Sequence, residues 1–86
     1  MPTISRFYGI QIRMFFDDKH GPHFHANYGE FRAQISIADG KILAGDLPPR
    51  AKKLVQEWRL LHRRELLDNW KRARRQESLV DIEGLS

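Results

Sequence analysis

The chain has 86 residues, enough for one domain with a single core and near the small end of what folds alone. It has no cysteine, which excludes disulfides and thiolate metal sites, and its 41% hydrophobic and 30% charged residues are ordinary for a globular protein. The net charge is +4; no apolar run approaches the ~20 residues that span a bilayer, and no basic-then-apolar leader opens the chain, so a cytoplasmic protein without membrane contact is expected.

From Tyr8 to Phe16 the even positions Tyr8, Ile10, Ile12, Met14 and Phe16 are apolar, with Gln11 and Arg13 between them, the period-two signature of a half-buried strand. Asp17 to Pro22 reads as a turn, two aspartates followed by Gly-Pro. His23 to Tyr28 alternates again, placing Phe24, Ala26 and Tyr28 on one face and His23, His25 and Asn27 on the other. After Gly29, Phe31, Ala33, Ile35 and Ile37 face one way and Arg32, Gln34 and Ser36 the other. Asp39-Gly40 predicts a two-residue hairpin turn, with Lys41 to Ala44 as the returning strand.

Gly45-Asp46-Leu47-Pro48-Pro49 ends the sheet and opens a helix, with Asp46 as the expected cap and proline in the first turn. Ala51, Leu54, Val55, Trp58, Leu61 and His62 share a face at helical spacing. Beyond His62 a straight helix would turn Glu65 and Asn69 inward and Leu60, Leu67 and Trp70 outward. That pattern implies a kink or two helices meeting near His62 to Glu65, or else a second apolar patch that needs a partner. Residues 77–86 read as a loosely held tail, with a short strand at Leu79 to Ile82 as an option.

The expected fold is α+β: one domain with an antiparallel meander of about four strands over roughly 4–44, packed on a helix or kinked helix pair over roughly 48–76 (ββββα). Trp58 is expected in the core against Ile10, Ile12, Phe31 and Ile35. The polar sheet face, carrying Gln11, Arg13, His23, His25, Arg32 and Gln34, is left open for function.

The run Asp17 to Tyr28 holds three of the four histidines and two carboxylates. His23 and His25, two apart on a strand, project from one face about 7 Å apart. Three roles fit them. As general base and general acid they would make a metal-independent ribonuclease, with Arg13 or Arg32 offsetting phosphate charge and Tyr28 and His20 in reserve. With His20, and Asp17 or Asp18 as a fourth ligand, they would bind a divalent transition metal. In the third role the cluster is architectural, and no cofactor is needed. His62 is read as a buried residue bonded to Glu65 or to a sheet carbonyl.

Residues 50–75 carry ten Lys/Arg against Glu57, Glu65 and Asp68, a net +7, so the remainder of the chain carries −3. Such a basic half suits RNA, DNA or an acidic protein partner, or is a solvated helix face. Arg63, Arg64, Lys71, Arg74 and Arg75 are the candidate phosphate contacts. Trp70 sits among them, either as a base-stacking platform or packed into a partner groove or the second patch.

Four segments together resemble a small bacterial family catalogued as a domain of unknown function, the 4160 family. They are the opening Met1 to Ile10, Pro22-His23-Phe24-His25-Ala26, Gly45 to Ala51, and the Trp58, His62, Glu65-Leu66, Asn69-Trp70 pattern. The likeness covers nearly the whole chain and implies this fold in a stand-alone protein. It also implies a small cognate protein encoded nearby, in a toxin–antitoxin-like or mobile-element module. The expected function is to act on or bind nucleic acid, RNA foremost. The alternatives are a non-catalytic antitoxin or DNA-binding partner and a metal-binding protein. A homodimer covering the open sheet face is a further option.

Overall fold

The computed structural model describes residues 3–16 and 21–86. Five strands, β1 (Thr3–Phe7), β2 (Ile10–Arg13), β3 (His23–Tyr28), β4 (Phe31–Ser36) and β5 (Ile42–Gly45), precede one long helix, α1 (Pro49–Arg74). The strands form a single antiparallel sheet in chain order, β1-β2-β3-β4-β5. The α+β meander expected from the alternation is therefore present, with five strands in place of about four.

The additional strand comes from a turn hidden at the start of the apolar alternation. Phe7 pairs with Ile10, and Tyr8 and Gly9 make the whole loop at φ 49° and 79°. Two successive positive φ values define the primed hairpin turn that follows the natural strand twist. Gly9 suits it, whereas tyrosine at positive φ gives no turn signal in sequence. The expected Asp39-Gly40 two-residue turn is instead a loop over Ile37 to Gly40 in which Gly40 alone has positive φ. It is closed by Ser36 N–H to Lys41 O and Gly40 N–H to Ser36 O. Helix α1 decides that shape. Arg59, buried, donates from Nη1 to the carbonyls of Ile37 and Ala38, and Gln56 Nε2 donates to Gly40 O.

One sheet face is the core. Phe7, Ile10, Ile12, Phe24 and Ile35 meet Val55, Trp58 and Leu66 of α1, all buried. The Trp58 ring lies 5.4 Å from that of Phe7 and 5.7 Å, edge-on, from that of Phe24. Phe31 and Leu61, both expected inside, are exposed. Phe31 begins β4 at the end of the sheet, and Leu61 comes just before the break in the helix.

That break is the expected kink: His62 has φ −121° and ψ 22°, outside helical geometry. Its Nδ1–H donates to Glu65 Oε1 at 2.7 Å, the partner anticipated from sequence. Beyond it Leu66, Asn69 and Trp70 turn inward. Asn69 is fully buried because its amide bonds both main-chain groups of Val80, Nδ2 to O at 2.8 Å and Oδ1 from N at 2.9 Å. The tail is therefore held rather than loose. Ile82 N–H donates to Ile4 O, and Trp58 Nε1–H donates to Glu83 O, although 77–86 contain no strand.

Helix α1 also starts differently from the sequence expectation. Pro48 is the N-cap, with no side-chain cap. Asp46 accepts the Leu47 N–H and pairs with Lys52 at 3.0 Å. These two contacts, Lys52 first, hold its carboxyl below the usual aspartate range.

Candidate functional site

The sheet face turned away from the core carries two cross-strand rows of polar side chains. In the first, Arg6, Gln11, Asn27 and Arg32 are successive partners from β1 to β4. In the second, Thr3, Arg13, His25, Gln34 and Ala44 are partners from β1 to β5. Period-two alternation produces this grid, since every second residue of an antiparallel strand shares a face and pairing aligns it with its neighbours. Gln11 Nε2 donates to Thr3 Oγ1 at 2.7 Å across it.

A cleft of about 400 Å³ lies in this face, lined by Arg13, Phe15, His25, Asn27, Arg32 and Gln34, with Ala33, Ala44 and Gly45 completing it. Gly45 lets the chain pass here: its φ is +73°, and a Cβ would collide with the main-chain carbonyl of Arg32. Among the described residues the lining offers two guanidiniums, an imidazole and two amides, and no carboxylate. Among the described residues, Arg13 Nε and Gln34 Oε1 are buried without a hydrogen-bond partner. Buried polar atoms are nearly always paired, so this donor and acceptor are unmet hydrogen-bonding capacity in the wall of the cleft.

The imidazoles divide. The ring centroids of His23 and His25 are 5.2 Å apart, so the sequence reading rightly brings them together. His23, however, is 0% exposed and packs 5.2 Å from the Trp70 ring. Its Nδ1 lies 2.9 Å from Gly21 O; a carbonyl only accepts, so Nδ1 carries the proton. His25 lines the cleft, stacked on Phe15 at 4.3 Å and 20°. Of the two histidines expected to reach one phosphate, His23 is enclosed by Trp70 and the end of the sheet, and half-buried His25 lines the cleft. Tyr28, the reserve group, falls on the opposite face by strand parity and does not line the cleft. His20, Asp17 and Asp18 lie outside the described residues. Among the described residues no three His, Asp or Glu side chains gather where a metal would sit.

Of the basic helical residues, Arg63, Arg64, Lys71, Arg74 and Arg75 are exposed. Arg59 is not available to a ligand, and Lys52 is paired with Asp46. Trp70 is 6% exposed, its ring against Phe16 as well as His23, so it is no stacking platform and fills the second apolar patch. Sequence reasoning missed Arg6 and Phe15. Arg6 belongs to the strand that was not anticipated, and Phe15 was passed over because it is an apolar residue at a polar-face position of the alternation.

A family model described as a domain of unknown function (DUF4160) matches residues 9–71, most of the chain, bearing out the resemblance read from the motifs. No curated protein and no solved structure matches the sequence.

Proposed function

The chain belongs to the DUF4160 family, and on that premise we propose that it binds RNA through the open face of its sheet. The observation that carries this reading is the cleft, lined among the described residues by cations and amides, in which Arg13 Nε and Gln34 Oε1 are buried and unpaired on either side of His25. A phosphate oxygen answers the guanidinium, and charge-assisted contacts of this kind are the stronger ones. A ribose 2′-hydroxyl answers the amide oxygen, and that hydroxyl distinguishes RNA from DNA. Arg6 and Arg32, three strands apart, spread charge over about 14 Å, the span of an extended polyanion rather than a point anion.

The exposed basic residues of α1 add a diffuse field that raises the local concentration of a polyanion. The reading is a binding module in preference to a two-histidine ribonuclease, because a proton donor and acceptor must both reach the scissile phosphate and His23 is enclosed. In the two-gene setting the family resemblance implies, this chain is the RNA-binding member.

The test is residue-resolved NMR titration with a short RNA at low salt. Shifts should concentrate on Arg13, His25, Arg32 and Gln34, and should be weaker with the DNA of the same sequence. Shifts confined to residues 60–75, or none at all, would remove the sheet face from the function.

A further inference from the structure

Three aromatic rings crowd one end of the sheet and stay open to solvent: Tyr8 is 54% exposed, Tyr28 38% and Phe31 48%. Tyr28 and Phe31 are direct cross-strand partners beside the β3–β4 turn. A Cβ at Gly9 would lie 3.5 Å from the Tyr28 ring, so the Tyr8-Gly9 turn abuts the same ring. No turn chemistry requires an aromatic ring at these positions: the positive φ of Tyr8 suits glycine or asparagine better, and Gly29 supplies the positive φ of the β3–β4 turn. The Tyr28–Phe31 pair is one residue, about 3.3 Å along each strand, from the Asn27–Arg32 pair, but its side chains leave the opposite face, so the rings sit around the end of the sheet from the cationic grid. Beside Tyr8 a second hollow, of about 390 Å³, includes Arg6 and Gln11 at the other end of that row.

We propose that this rim is a base-stacking site, and that the nucleic acid taken by the sheet is single-stranded. The proposal rests on the sheet-face reading: with the phosphates on the row from Arg6 to Arg32, the bases reach over the end of the sheet onto Phe31, Tyr28 and Tyr8. Single-strand binders join a cationic track to aromatic faces in this way, and each stacked base adds affinity with little regard to sequence. A duplex cannot use the rim, because its bases are already stacked and paired. Arg32 on the grid is next to Phe31 in the chain, so a strand wrapping the end of the sheet meets the cation on one face and the ring on the other.

The experiment is fluorescence anisotropy at low salt with two labelled oligomers of equal length and charge, an unstructured RNA and an abasic phosphodiester strand. Wild-type protein and the Tyr28→Leu and Phe31→Leu variants are compared, leucine keeping the apolar packing, with a thermal melt to confirm folding. Wild type should prefer the base-bearing strand. Each variant should lose roughly ten- to a hundredfold on that strand, the size of one lost stacking contact, and be unchanged on the abasic one. Equal wild-type affinity for the two strands would overturn the stacking site while leaving the sheet-face reading intact, and would leave the rings to a protein partner. Loss on both strands by a folded variant would also overturn it, since the rings would then be supporting the grid. No binding of either strand would defeat both readings.

Discussion

Trp58 joins the three parts of the molecule, and its replacement measures how firmly they are joined. Its ring is completely buried between Phe7 and Phe24, and its indole N–H bonds the Glu83 carbonyl in the tail. A tryptophan buries about 150–250 Å²; at ~25 cal/mol per Å² that is about 4–6 kcal/mol as an upper bound. Measured large-to-small replacements fall at about 3–5 kcal/mol. A domain of this length has only about 4–13 kcal/mol in total, so Trp58→Ala should be at the edge of folding or beyond it. Trp58→Phe is the more informative change. It keeps a ring against Phe7 and Phe24 but gives up the Glu83 bond, worth ~1 kcal/mol, and leaves a small cavity, for a loss of about 2 kcal/mol. That corresponds to a fall of roughly 8–16 °C in Tm for a domain of this size. Calorimetry reads the first effect, and limited proteolysis of residues 77–86 reads release of the tail. A Trp58→Ala protein that melts cooperatively near the wild-type temperature, or a Trp58→Phe protein with an unchanged melt and tail, would refute this core.

Asn69→Ala removes both Val80 bonds and should lower stability by about 2 kcal/mol, with faster amide exchange around Val80; unchanged exchange there would show that the tail is held without it. His23→Ala should lower Tm and His25→Ala should weaken RNA binding at nearly constant Tm, as melts and binding curves on the two proteins would show. The Asp46 pKa is lowered in the folded protein, so its pairing with Lys52 stabilises above the unfolded aspartate pKa and is lost as pH falls through the folded value. Asp46→Asn should therefore melt below wild type at neutral pH, with the gap closing in acid; a gap independent of pH would contradict the pairing.

How much of this was legible in sequence depended on how local the determinant is. Alternation located β2 to β4 and the polar face, because the side-chain period of a strand is written residue by residue, and the Asp39-Gly40 turn signal located β5. Strand β1 was missed because its turn uses Tyr8, which carries no turn signal and reads as the first apolar residue of the alternation. The kink at His62 was legible as a drift in the apolar stripe. The burial of Asn69 was not, since its partner Val80 lies eleven residues on, beyond the end of the helix. Trp70 was read by the company of Lys71, Arg72, Arg74 and Arg75, whereas the kink gives it the histidine end of the sheet. The same limit applies to the site. Spacing brought His23 and His25 together, but accessibility separates them, and accessibility depends on a tryptophan from the far end of the chain.

The claim that the sheet face binds RNA is tested most directly by the salt dependence of binding. Log affinity for a short RNA against log salt should be steep for wild type, because contacted phosphates release their condensed counterions. The double variant Arg13→Gln, Arg32→Gln should flatten that slope and lose most of the affinity. Removing the same charge from the helix, by Arg63→Gln with Arg64→Gln, should lower affinity only modestly. A helix variant that loses as much as the sheet variant, or a wild-type protein that binds no RNA even at low salt, would contradict the account.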